Sequence, residues 1–144
     1  MEPILHLSIP VRDLAEAREF YVSTLGCRAA RARAGFQDVW FYGMQVTLQN
    51  QPDEVGGLGA GGSRHFGVTL SRQSFEALVA RLEKHQVAFL VPVSTDDEGA
   101  PTEQTKAKIA DPSGNVIELK TYRDVAAALE ISPHAYPDAA EHGN

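Results

Sequence analysis

One structural pattern occurs twice along this chain, and a chain that repeats a unit must bury the same face in each copy. The first copy opens with a strand from Ile4 to Val11. Asp13 then stands where a helix N-cap is wanted, with Glu16 three residues later to complete a capping box. Leu14, Ala17, Phe20, Tyr21 and Leu25 recur at helical spacing, and Gly26 supplies the stop. Strands follow at Cys27 to Ala32, Phe36 to Tyr42 and Gln45 to Gln49, with a turn at Gly43. The second copy begins with a strand from His65 to Leu70. Ser71 or Ser74 caps a helix whose apolar face is Phe75, Leu78, Val79 and Leu82. Val87 to Val93 reads as a strand and Ser94 to Pro101 as a polar loop. Lys106 to Ala110 and Asn115 to Thr121 form a hairpin across the turn Asp111-Pro112-Ser113-Gly114.

Each copy is therefore βαβββ, and the expected fold is α+β: two modules whose curved mixed sheets enclose a cleft. Residues 1–124 form one two-module domain, with module 1 at about 4–50, a linker at about 51–63 and module 2 at about 64–121. Gly56 to Gly62 is a flexible linker by composition. It lacks a Lys-Ser/Thr ending and opens into a strand, so it is not read as a phosphate loop. Residues 125–144 are expected to hold a C-terminal helix and tail, the helical spacing running from Tyr122 to Ile131 before Ser132-Pro133. The last residues, poor in apolar side chains, are expected to fray.

The formal net charge of −6 argues against a nucleic-acid partner, which needs a basic face to neutralise phosphates. Arg28, Arg31 and Arg33 alternate with alanine and read as a solvated strand edge. The single cysteine, Cys27, excludes an internal disulfide and reads as a buried, inert thiol. No apolar stretch is long enough to span a bilayer, and Met1-Glu2-Pro3 lacks the basic, apolar start of a signal peptide. The expectation is a cytoplasmic protein with no membrane partner.

Aligned at their first strands, the modules place His6 on His65. Aligned at their last strands through Gly43 and Gly114, they place Thr47 on Glu118. Two histidines and a carboxylate at repeat-matched positions can converge on one cleft. Imidazole and carboxylate together suit Zn, Fe, Mn, Co or Ni, and such a set leaves coordination positions open. Each of these residues alone would be an ordinary strand residue. His85, at a helix end, and His134 and His142, in the tail, are read as surface histidines. Trp40, Gln45, Gln104 and Tyr122 are candidate substrate-binding residues beside the cleft, since they lie on or next to its strands. Lys106 and Lys108 give one strand a polar face, with nothing to say which face meets the cleft.

The segments HLSIPVRDLAEAREFYVSTLGC, HFGVTLSRQSFEALVARL and DPSGNVIELK resemble the vicinal oxygen chelate superfamily of glyoxalase I, extradiol dioxygenases and bleomycin-resistance proteins. The nearest likeness is to its small branch of predicted extradiol-type dioxygenases, and it covers about residues 4 to 124. The resemblance implies that His6, His65 and Glu118 are the metal ligands. It implies a small-molecule substrate and a homodimer, in a swapped or unswapped arrangement.

Two departures bear on activity. Thr47 stands where glyoxalase I carries a further carboxylate ligand, and Met44 stands where the dioxygenase-like branch has a histidine. The activity expected first is a ring-cleaving dioxygenase acting on a catechol-like aromatic, with Fe(II) or Mn(II) favoured because electrons must pass through the ion. The alternatives are a glyoxalase-type lyase or isomerase, for which Zn or Ni would serve, and a metal-free protein that sequesters a ligand.

Overall fold

The computed structural model describes residues 1, 3–56 and 63–130. The first module comprises β1 (His6–Val11), α1 (Leu14–Arg18), β2 (Arg28–Arg33), β3 (Phe36–Phe41) and β4 (Met44–Asn50). The second comprises β5 (Phe66–Thr69), α2 (Arg72–Lys84), β6 (Phe89–Asp96), β7 (Gln104–Ala110) and β8 (Val116–Tyr122), followed by α3 (Val125–Leu129). Both sheets have four strands in equivalent order, β1-β4-β3-β2 and β5-β8-β7-β6. In each, the first strand runs parallel to the last and the remaining pairs are antiparallel. The βαβββ repeat and the α+β class read from the sequence are thus the fold of the molecule.

Alternation decides which side chains face the core. In β1, Ile9 and Val11 are buried and Leu7 packs against them, while His6 and Ser8 are exposed. In β8, Ile117, Leu119 and Thr121 are fully buried on the helix side. Glu118, Lys120 and Tyr122 alternate with them and so belong to the opposite, open face. Tyr21, Leu48, Leu82 and Ile109, from both modules, join one apolar cluster. Each such side chain contributes about 1.5–3 kcal/mol by leaving water.

The modules are fastened by polar contacts that the repeat pattern does not reveal. Tyr21 Oη donates to Asp111 Oδ2 at 2.9 Å, and both groups are buried. Asn115 Nδ2 donates to the Pro10 carbonyl at 2.9 Å, and the Arg12 amide donates to Ser113 Oγ at 2.9 Å. The Arg81 guanidinium donates to the Ser23 and Thr24 carbonyls at 2.7 Å. Asp111-Pro112-Ser113-Gly114, expected only as a hairpin turn, is therefore also a clasp between modules.

Several boundaries differ from expectation. The first helix is α-helical only over Leu14–Arg18, and a π-helical turn covers Glu19–Thr24. Over so short a span, the spacing of Ala17, Phe20, Tyr21 and Leu25 does not separate the two windings. Asp13 caps α1 by accepting from the Glu16 amide at 2.7 Å, but the capping box is only half made. The Glu16 carboxylate instead takes the Arg12 guanidinium at 2.7 and 2.9 Å. β6 continues through Ser94, Thr95 and Asp96, where a loop was expected, because they pair with Lys106, Thr105 and Gln104, and the Lys106 ammonium donates to Asp96 across the edge. Tyr122 closes β8 opposite Gln104 and does not open a helix; Asp124 caps α3 two residues later. The hairpin from β3 to β4 turns on Tyr42 and Gly43, both at positive φ (48° and 86°), which suits a two-residue loop with the twist of its strands. Gly57–Gly62 of the linker and residues 131–144, with His134 and His142, lie outside the described residues.

Candidate metal centre

Gly67 is where β5 comes closest to β8. A Cβ on Gly67 would lie 1.9 Å from the Glu118 carbonyl oxygen, a distance no side chain tolerates. The register sets Gly67 opposite Glu118, so the absent side chain lets β5 carry His65 up to the Glu118 carboxylate. His65 Nε2 then stands 3.2 Å from Glu118 Oε2. Two ligands of one ion, at bonds of about 2.0–2.2 Å and near-tetrahedral or right angles, stand about 2.8–3.6 Å apart. The pair therefore has the spacing of two corners of a coordination shell. Lys120 Nζ lies 3.2 Å from the same Glu118 oxygen. The side chain of Glu118 is only 10% exposed, so His65 and Lys120 both contact a largely desolvated carboxylate.

The first sheet carries the matching positions with different chemistry. Ser8 pairs with Thr47 as Gly67 pairs with Glu118, so His6 is the register equivalent of His65. Thr47 Oγ1 donates to Asp38 Oδ1 at 2.7 Å, and Gln45 Nε2 and Arg31 Nε donate to Asp38 Oδ2 at 3.0 and 3.1 Å. Asp38 is 2% exposed. Burial pushes its carboxyl up, but the bonds from Thr47 and Gln45 and the nearby Arg31 charge outweigh that and hold it below the usual range. The place of a fourth ligand is thus filled by a closed Thr47–Asp38–Arg31 network. His6 is exposed and stands apart from His65 and Glu118. Among the described residues no three His, Cys, Asp or Glu side chains converge closely enough to hold an ion.

The other candidates fall into pairs. Trp40 lies opposite Gln45 in the first sheet, and Gln104 opposite Tyr122 in the second. Trp40 also borders a small hollow with Leu25, Gly26 and Cys27. Lys106 and Lys108 alternate with buried Ala107 and Ile109, which assigns both lysines to the open face with Glu118. A hollow of about 300 Å³ is lined by His65, Gly67, Thr69, Glu118 and Lys120. His65 also borders a hollow of about 320 Å³ between the edges of β1 and β5, lined by Leu7, Ile9 and Phe66. Cys27 is buried, and desolvation pushes its thiol up to about 11. His85 ends α2 and is exposed. Asp38 and Lys120 were not singled out from the sequence. The signal for Lys120 was its place two residues after Glu118 on β8, and for Asp38 its cross-strand position opposite Thr47.

A family model described as the glyoxalase/bleomycin resistance protein/dioxygenase superfamily matches residues 3–119. A solved glyoxalase/bleomycin resistance protein/dioxygenase from Alicyclobacillus acidocaldarius is 33% identical, covering 85% of this chain and 92% of its own, with a TM-score of 0.78. The fold also resembles the genomically encoded fosfomycin resistance protein FosX from Listeria monocytogenes, at 12% identity, 90% and 98% coverage and a TM-score of 0.71. A glyoxalase/dioxygenase from Nostoc punctiforme is 16% identical, with 85% and 92% coverage and a TM-score of 0.65. Among proteins with curated descriptions, none matches this sequence. The family match spans most of the chain, and the chain belongs to the glyoxalase/bleomycin resistance protein/dioxygenase superfamily.

Proposed function

We propose that the protein is a metal-dependent enzyme acting on a small molecule through two adjacent oxygens, with His65 and Glu118 of one chain and His6 of a second copy holding the ion. The observation that carries this is the His65–Glu118 contact of 3.2 Å on the open face of the second sheet. Its register twin His6 lies exposed on the first sheet, beside Ile4 and Leu5, which are 53% and 72% exposed. Apolar side chains left in water next to a ligand-type histidine suit burial against a second copy. A homodimer that exchanges this face would complete in two sites what one chain leaves open in each.

The bound ion would supply a Lewis acid with open positions for substrate oxygens. Glu118 and His65 would fix where that centre sits, and Gly67 lets β5 and β8 approach each other closely there. Lys120 Nζ, 3.2 Å from Glu118 Oε2, would bring a positive charge beside the substrate oxygens. Gln104 and Tyr122 lie two register pairs beyond Lys106 and Lys120, on the same face, where they would orient the far end of a substrate. Within this class the first reading is an extradiol-type dioxygenase on a catechol-like aromatic, supported by a two-histidine, one-carboxylate set with no fourth protein ligand at Thr47. The second is a lyase or isomerase, favoured by Lys120, whose ammonium could steady a developing enediolate oxygen. An oxygen electrode with Fe(II)-, Mn(II)- and Zn-loaded protein and a panel of catechols tests the choice. Oxygen uptake by the Fe(II) or Mn(II) form alone is expected. Silence there, with turnover of a hydroxy-carbonyl compound by the Zn or Ni form, would favour the second reading.

A further inference from the structure

The open face of the second sheet concentrates positive charge in a chain whose formal net charge is −6. The register sets Lys106 directly opposite Lys120, and Lys108 directly opposite Glu118. Like charges facing each other across an antiparallel pair destabilise a sheet, so this arrangement needs counter-charge. Asp96 supplies part of it, with Oδ2 2.6 Å from Lys106 Nζ. Glu118 supplies more, with Oε2 3.2 Å from Lys120 Nζ. That oxygen is the one His65 Nε2 approaches to 3.2 Å. Lys120 and an ion held by His65 and Glu118 would therefore compete for one carboxylate.

We propose that Lys120 neutralises Glu118 while the ion is absent and, once the ion takes the carboxylate, turns with Lys106 to hold an anionic group of the substrate. This rests on the ion site proposed above. The substrate class is then a small molecule carrying a carboxylate or a phospho group beside its chelating oxygens. The hollow of about 300 Å³ bordered by His65, Thr69, Glu118 and Lys120 gives such a group room. The side chains of Lys106 and Lys120 are 32% and 31% exposed. Each ammonium is ion-paired, to Asp96 and Glu118, on a side chain that reaches solvent, so an anion would add a charge-assisted hydrogen bond by sharing or displacing those carboxylates.

Calorimetric titration of the full chain with Mn(II), and of the Mn(II)-loaded chain with methylphosphonate or propionate, tests this in Lys120→Met, Lys106→Met and His65→Ala. Methionine keeps the apolar stem and removes only the charge. Lys120→Met should bind Mn(II) about two- to fivefold more tightly, since it loses a competing ion pair of the usual size. It should bind either anion about tenfold more weakly, as expected for one lost charge-assisted bond. Lys106→Met should lose anion affinity with little change in Mn(II) affinity. The tighter-binding probe tells a phospho group from a carboxylate. An unchanged Mn(II) affinity in Lys120→Met, or no binding of either anion by the loaded wild type, overturns the proposal. If His65→Ala loses Mn(II) while the lysine variants behave as wild type, the lysine assignment alone falls. If His65→Ala keeps Mn(II), the ion site falls and the lysine assignment with it.

Discussion

A methyl group at position 67 would meet the Glu118 carbonyl oxygen at 1.9 Å, and neither strand can yield without moving a candidate ligand. Gly67→Ala is therefore expected to cost more than about 2 kcal/mol, as overpacking against backbone does. It should also weaken Mn(II) binding, because His65 and Glu118 are parted. Urea denaturation and a Mn(II) titration on the same variant read both effects. Thr121 gives the opposite sign. It is fully buried, and its hydroxyl oxygen has no hydrogen-bond partner. Removing an unsatisfied buried hydroxyl while keeping the shape should stabilise, so Thr121→Val is expected to raise the unfolding free energy by about 1 kcal/mol. A lower denaturation midpoint would show that the hydroxyl is satisfied. At this scale the sequence made His65 and Glu118 candidates, because register equivalence with His6 and Thr47 needs only spacing, and the structure brings the two side chains to 3.2 Å. It could not reveal that Glu118 is shared with Lys120, or that Thr47 is engaged by Asp38. Those contacts run along and across strands of the open face, where the alternation pattern says only that residues are polar.

Between elements, the clasp at Asp111 governs how the modules sit together. Tyr21 Oη and three further donors, from the Ser113 amide, the Asn115 amide and Asn115 Nδ2, meet its buried carboxylate. Tyr21→Phe removes one donor from a charged acceptor and should cost about 1.5–3 kcal/mol in a urea titration. A change near zero would mean that the remaining donors suffice. The network at Asp38 carries a pH signature. Its carboxyl sits below its usual range in the folded chain, so its contribution is fully present above the ordinary carboxylate range and is lost as pH falls toward the folded value. The stability gap between wild type and Asp38→Asn should thus be open at neutral pH and close in acid. A gap that widened in acid would contradict the direction of the shift. Elements whose strands alternate buried and polar, such as β1 and β7, were legible from the sequence. β6 was cut short because its last residues are polar on an edge, held by cross-strand partners. The π turn after α1 was missed because its apolar spacing also fits an α-helix.

For the whole molecule, the proposed ion site turns on where its third ligand would come from. The fold was legible because a repeated module fixes topology in both halves at once. The assembly was not, because swapped and unswapped arrangements place the same residues on the same strands. In the structure His65 and Glu118 meet within one chain while His6 stands on the other sheet, a division consistent with the shared site proposed above. The most direct measurement mixes two inactive halves. His6→Ala and His65→Ala are each purified, assayed for bound Mn(II), then mixed, allowed to exchange chains and assayed again. Each variant alone should retain no ion. In a mixed dimer, His65 and Glu118 of the His6→Ala chain meet the intact His6 of the other, restoring one of two sites. Random pairing then predicts recovery of about a quarter of the wild-type Mn(II) per chain. Full retention of Mn(II) by either variant alone, or no recovery on mixing once chain exchange has been verified, would contradict an ion held by His6, His65 and Glu118 across two copies.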